Sequence, residues 1–372
     1  MSAPVLRPAI AAKPKALREQ IIQQIDMFNQ LADPLFHITG RKGRIKWANR
    51  AAADLLGAGL ENQRLIKVFV SKELRAILKE TRNAAPPRGD EAQGAHGDHI
   101  VRADNLPGRE FRIRLVRLEN KTLEGARFLV SLSDVTGVLQ LQTQRAAFVA
   151  NASHELKTPI TALSGFIETL EQDPRALETF LPLMKREAHR MRALIYDLLN
   201  LAKTEMEAAH PPTDLLTLDP LIEQASSALQ QTFKTRRQNL KLRHLSTPCF
   251  VRGDARALTT VFGNLLQNAS KYAPNETEIQ IHLEIRDRHV HIHFHNEGKG
   301  IAAKHIPRLT ERFYRVDDGR GRQEGGTGLG LAIVKHILIR HHGQLHITST
   351  PGQGACFTVI LPHYDRDCVQ AP

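Results

Sequence analysis

Apolar residues at 160, 163, 166, 167 and 170 recur at three- and four-residue intervals, the period of an amphipathic helix over residues 138–172. Asp173-Pro174 breaks it, and a second helix is predicted over 177–206, ahead of Pro211-Pro212. On that helix Met184, Met191 and Leu198 repeat every seven residues, with Leu194, Ile195 and Leu201 on the same face. Two helices cannot close a core alone, so the hairpin predicts pairing of two copies into a four-helix bundle. A core formed within one chain is the other use of such a stripe.

The flanking patterns differ. Residues 34–38 and 45–49 read as strands of a hairpin around Gly40-Arg41-Lys42-Gly43. Short helices follow at 51–56 and 72–82, then a Pro/Gly-rich loop at 84–97 and strands near 99–101, 110–118 and 126–132. Beyond residue 215 the pattern becomes α/β. Its clearest strand is His289-Val290-His291-Ile292-His293-Phe294-His295, which alternates strictly and sets four imidazoles on one face. Two imidazoles so placed can hold Zn²⁺ or Ni²⁺. The simpler reading is a solvent-facing strand whose polar positions are histidine. His341-His342 reads as the capped end of a helix, with basic residues that complement the dipole.

Composition narrows the class. The 372 residues have room for two or three domains, and 41% hydrophobic with 24% charged residues is globular. No apolar run approaches bilayer length and the N-terminus lacks a signal-peptide core, so a soluble, cytoplasmic protein is expected. Cys249, Cys356 and Cys368 have no paired spacing, which fits a reducing compartment without disulfide or zinc framework. The net charge of +12 is scattered rather than gathered, so no nucleic-acid partner is expected.

Candidate chemistry falls in four places. His154, followed by Glu155 on the first helix, is predicted to face water, where an imidazole is a usable nucleophile and a carboxylate can orient it. Pro159 is predicted to bend the helix there. Further on, Asn264 and Asn268 share a helical face with Lys271 and Tyr272 just beyond, offering amide oxygens suited to Mg²⁺ and a cation for phosphate. Gly298 and Gly300 follow Asn296 after a strand. Gly326, Thr327, Gly328, Leu329 and Gly330 open a helix without the register of a P-loop or dinucleotide fingerprint.

The stretch FVANASHELKTPITALSGFIETL resembles the phospho-acceptor box of sensor histidine kinases, the phosphate-regulon branch in particular. In the same order, the three later clusters resemble the ATP-binding domain shared by histidine kinases, gyrase-type ATPases and related chaperones. Glu311-Arg312-Phe313-Tyr314-Arg315-Val316-Asp317 resembles the kinases' phenylalanine box, and the N-terminal α+β segment, with Asn49 and a closing Asp134-Val135-Thr136, resembles a PAS domain.

The resemblance implies a multidomain α+β chain: a basic flexible arm (1–25), a PAS-like sensory domain (26–137), a dimerising phospho-acceptor hairpin (138–210), an α/β-sandwich ATP-binding domain (211–364) and a tail (365–372). It implies a phosphoryl acceptor at His154, a base at Glu155 and a water-positioning Thr158 for dephosphorylating a response-regulator partner. It places Mg²⁺ on Asn268, the nucleotide by Asn264, Lys271, Tyr272, Asn296, Gly298 and Gly300, and the phosphates by the 326–330 cluster. The implied cofactors are ATP and Mg²⁺. The implied partners are a receiver domain and a second copy, with a membrane-associated transport or sensory protein as a further candidate.

One position departs from the family pattern. Asn296 stands where an Asp usually accepts a hydrogen bond from the adenine amino group. A neutral acceptor is weaker by about 1–2 kcal/mol. Glu297 is the neighbouring carboxylate that could compensate. A kinase-impaired scaffold or phosphatase is the alternative reading this departure raises.

Overall fold

The computed structural model describes residues 15–40, 42–83, 96–118, 127–207, 210–245, 247–316 and 326–364. The start of the basic arm, most of the loop at 84–97, Asp317, Gly325 and the tail lie outside the described residues. The chain divides into two compact units, 1–147 and 148–372.

The first unit opens with α1 (Lys15–Asn29), the short helix into which the basic arm is expected to continue near residues 17–28. Pro14 closes the proline-rich stretch, and the next fifteen residues contain neither Pro nor Gly. There follow β1 (Leu35–Thr39), β2 (Arg44–Ala48), α2 (Arg50–Leu56), α3 (Leu65–Val68), α4 (Lys72–Asn83), β3 (His96–Arg102), β4 (Glu110–Leu118) and β5 (Arg127–Asp134). The strands form an antiparallel sheet in the order β2-β1-β5-β4-β3. Alternation along β4 and β5 sends Phe111, Ile113, Leu115, Phe128, Val130 and Leu132 into one core with Phe36, Ile38 and Phe69.

Asn49 ties this unit together. Its Oδ1 accepts from Leu35 N–H (2.9 Å) and Ala52 N–H (3.0 Å), and its Nδ2 donates to the carbonyls of Phe28 (3.1 Å) and Asp33 (2.9 Å). A buried amide thus caps α2, starts β1 and holds the end of α1. Trp47 packs edge-on against Phe28, with ring centroids 5.8 Å apart, as wall rather than exposed surface.

Next comes α5 (Thr136–Gln172), a 3₁₀ turn at Pro174–Ala176 and α6 (Leu177–Met206), which form the predicted hairpin. Pro159 is buried inside α5, and the helix continues through it to Gln172. The remaining elements are β6 (Leu215–Thr217), α7 (Leu218–Ala228), α8 (Gln230–Thr235), β7 (Asn239–Arg243), β8 (Phe250–Arg252), α9 (Ala255–Tyr272), β9 (Glu278–Arg286), β10 (His289–Asn296), α10 (Gly330–Arg340), β11 (Gln344–Ser349) and β12 (Ala355–Pro362). Five strands order as β11-β12-β10-β9-β7, with β7 parallel to β9 and the rest antiparallel. One face of this sheet carries α9 and α10, and Val290, Ile292 and Phe294 point into that core.

Part of the stripe on α6 is spent within the chain. Leu194 and Leu201 are buried and Leu198 partly so, in the same core as Ile333, Val334 and Ile337 of α10. Each fully buried leucine contributes about 2 kcal/mol to that packing. Ile195, expected on the same face, is instead 45% exposed. A residue one step from Leu194 is turned about 100° around the helix. No helix among the described residues is long and apolar enough to cross a membrane.

His341 caps the end of α10 as expected, but as a buried group rather than a cation on the dipole. It is buried at the end of α10, its Nδ1–H donating to the Ile337 carbonyl (2.7 Å) and its Nε2 accepting from the Asp254 N–H (3.0 Å). Those partners fix one neutral tautomer. Asp254 in turn caps α9 through Arg256 N–H and Ala257 N–H. Burial holds the His341 pKa below its ordinary 6.5. A depressed histidine pKa stabilises the fold above 6.5 and withdraws that stability as pH falls through the folded value. Thermal melts should therefore fall from pH 7.5 to pH 5, with a shallower fall in His341→Gln.

Candidate functional site

α9 presents the asparagine face as its period dictates. Leu258, Val261, Phe262, Leu265, Leu266 and Ala269 go to the core, which leaves Asn264, Asn268, Lys271 and Tyr272 at its margin. Asn264 Nδ2 donates to the Thr260 carbonyl (2.9 Å), so its Oδ1 is the atom turned outward. It turns toward Gly330: a Cβ added there would lie 2.6 Å from Asn264 Oδ1. A Cβ on Gly326 would lie 2.7 Å from Lys271 Nζ, and one on Gly298 would lie 2.5 Å from the Tyr272 carbonyl and 3.2 Å from Asn296 Nδ2.

Three clusters separated by up to 66 residues of sequence (264 to 330) thus meet at one edge of the domain. A side chain at Gly298 would meet backbone and one at Gly330 the Asn264 amide, whereas at Gly326 only the flexible tip of Lys271 stands in the way. Gly300 (φ +67°) is pressed against the Thr350 carbonyl, and Gly328 (φ +71°) lies against the backbone of Phe313, whose N–H donates to the Gly328 carbonyl (2.9 Å). Gly330 begins α10, so backbone amides and the helix field face the same edge.

Asn296 ends β10 and is buried at 3% exposure, while Glu297 is exposed. The neighbouring carboxylate does not take the buried place. Lys271 Nζ lies 5.1 Å from the Tyr272 ring centroid, and Tyr272 is 57% exposed at the rim. Leu329 is fully buried, so its side chain serves the core and only its backbone N–H, bonded to Thr327 Oγ1 (3.3 Å), belongs to the cluster.

The hairpin supplies the second half. His154 is exposed on α5, with Thr158 Oγ1 donating to its carbonyl (3.2 Å). Glu155 is not turned to the imidazole: it pairs with Arg190 of α6 at 3.2 Å. Thr327 is also engaged across the hairpin, donating to Asp197 Oδ2 (2.7 Å). Desolvation raises the Asp197 pKa, and the Thr327 hydrogen bond only partly opposes it.

Several contacts here were not found from sequence. Phe148 packs on Phe313 (5.9 Å between centroids), Arg312 lies over Phe148 and pairs with Glu205, and Arg340 pairs with Glu207 at 2.9 Å. The signal for Asp197 was present: a carboxylate between Leu194, Leu198 and Leu201 on the buried stripe requires a donor.

The fold and site define a class. Residues 253–365 match the histidine kinase-, DNA gyrase B- and HSP90-like ATPase family, 144–207 the His Kinase A phospho-acceptor domain, and 21–86 the PAS domain. The chain belongs to the sensor histidine kinases. Its relatives include the phosphate regulon sensor protein PhoR of Pseudomonas aeruginosa, 43% identical over 245 residues, 64% of this chain and 54% of that protein. The PhoR match supports the phosphate-regulon branch. The sensor-like histidine kinase SenX3 of Mycolicibacterium smegmatis is 36% identical over 63% of this chain and 62% of its own length. The sensor protein kinase WalK of Staphylococcus haemolyticus is 30% identical over 87% of this chain and 52% of its own length. The chain therefore spans between about half and three-fifths of these relatives.

Proposed function

We propose that the chain is an ATP-dependent protein-histidine kinase acting in phosphate-responsive two-component signalling. The observation that supports this best is the convergence of Asn264, Lys271 and Asn296 with Gly330, Gly326 and Gly298 on one edge, in a domain packed against the helix pair that carries an exposed His154. Phosphoryl transfer needs mainly positioning and charge neutralisation, which Lys271 and the α10 terminus supply. Asn268, half-buried on the same helix face, would hold Mg²⁺ through its amide oxygen, and the ion would offset phosphate charge.

In the transfer, a nitrogen of His154 forms the new N–P bond, the β–γ bridging P–O bond breaks and ADP leaves. The phosphoryl group then passes to a receiver-domain aspartate. Glu155 must exchange Arg190 for the imidazole to act as base, so its present ion pair marks a resting arrangement. Thr158, one turn from His154, is the group for positioning water in regulator dephosphorylation. Exposed Ile160, Ile167, Leu181, Ile195 and Leu199 on the hairpin support pairing with a second copy.

The test is a chase. Chain labelled with γ-labelled ATP and Mg²⁺, releasing ADP in that step, and then freed of nucleotide should lose its label to an added receiver domain. Retention of label in the presence of every receiver of the organism's set would contradict the transfer step.

A further inference from the structure

The outer face of the second sheet carries a cluster that phosphoryl transfer does not use. Its members come from adjacent strands: β10 pairs with β9 so that His291 lies opposite Glu284 and His293 opposite His282. Ligand atoms of Glu284, His291 and His293 all lie within 4.8 Å of one another. His293 Nε2 and Glu284 Oε1 are 3.4 Å apart. Donors about 2.1 Å from a tetrahedral Zn²⁺ stand roughly 3.4 Å from each other, so this pair is already spaced for one ion.

The orientation of His293 is built in. Its Nδ1 is 3.0 Å from Oγ1 of Thr358, a buried residue on β12, and Thr358 Oγ1 lies 3.8 Å from Cys356 Sγ. With the Thr358 hydroxyl turned to sulfur, Nδ1–H donates to its oxygen and Nε2 is left as a lone-pair donor facing Glu284. Such a hydrogen bond to the far nitrogen is what metal-ligating histidines require. The rings of His291 and His293 run nearly parallel, 6.3 Å apart, and a cleft of about 230 Å³ lined by Arg286, His289, His291 and Ile360 adjoins them.

We propose that Glu284, His291 and His293 form a binding site for a borderline divalent cation, Zn²⁺ by donor set, oriented by Thr358. Two imidazoles and one carboxylate leave a coordination position for water. His282 lies opposite His293 on β9, with ring centroids 5.9 Å apart. The site lies on the face of β10 opposite the Val290-Ile292-Phe294 core, and it stands or falls independently of the kinase reading.

Zn²⁺ titration of the chelator-treated full chain tests it, by calorimetry and by the visible absorption of Co²⁺ in its place. One ion per chain is expected, with His291→Ala/His293→Ala weakening binding at least thirtyfold and removing the Co²⁺ band. Thr358→Val, which keeps all three ligands, should weaken it about 10–100-fold. Nucleotide binding by each variant reports that the domain is folded, and Glu284→Gln tests the site should the double variant not fold. An unoccupied wild type, or affinity unchanged in the ligand variants because other histidines hold the ion, overturns the proposal.

Discussion

His154→Gln should carry no acid-labile, base-stable phosphate after incubation with Mg²⁺ and ATP, while binding nucleotide as tightly as the wild type. The expectation follows from where the polar groups near His154 point. Ser153 Oγ donates to the Val149 carbonyl and Thr158 Oγ1 to that of His154, so both hydroxyls are occupied by the helix itself. Glu155 faces Arg190. The imidazole is thus the nucleophile the helix offers to the outside. The loss should be complete because an amide has no nucleophilic nitrogen lone pair to substitute for it. Residual base-stable label would place the acceptor elsewhere, and lost nucleotide affinity would show that His154 supports the fold rather than the chemistry.

The second large effect is expected at the glycines. Gly330 starts α10, and by helix propensity alone Ala there should stabilise by about 1 kcal/mol. The site predicts the opposite outcome for binding: a Cβ 2.6 Å from Asn264 Oδ1 must push aside an amide whose orientation Thr260 fixes. Gly328→Ala adds left-handed backbone strain of about 1–2 kcal/mol, with contacts of 2.9 Å to Phe313 backbone that cannot yield. Fluorescent-nucleotide titration should show at least a tenfold loss for each. Gly165→Ala, where nothing lies within 4 Å of the new methyl, should leave affinity unchanged. Gly326→Ala should be milder, since only the tip of Lys271 need move.

What the sequence made legible is what repeats locally. Alternation identified β10, the strand pattern placed β4 and β5, and the apolar repeats placed α5 and α6 nearly to their ends, while of α9 only the asparagine face was read. The glycine clusters and the asparagine face were visible because each lies within a few residues. The contacts that join them were not. Glu155 to Arg190, Phe148 to Phe313, and Thr327 to Asp197 link positions 35 to 165 residues apart, and no period connects them. The leucines of α6 show the limit most plainly: one apolar stripe can seal a dimer or an intrachain core, and here Leu194 and Leu201 take the second use. The histidines of β10 read as a polar face until β9 placed Glu284 beside them and β12 placed Thr358 behind.

The central claim, a working kinase in spite of Asn296, is tested most directly by labelling wild type beside Asn296→Asp. Asn296 is buried at the strand end and retains an amide oxygen as acceptor. The account predicts label on the wild type, with roughly tenfold less ATP needed for half-maximal labelling in Asn296→Asp, from about 1–2 kcal/mol of charge-assisted hydrogen bonding. An unlabelled wild type beside a labelled Asn296→Asp would contradict it.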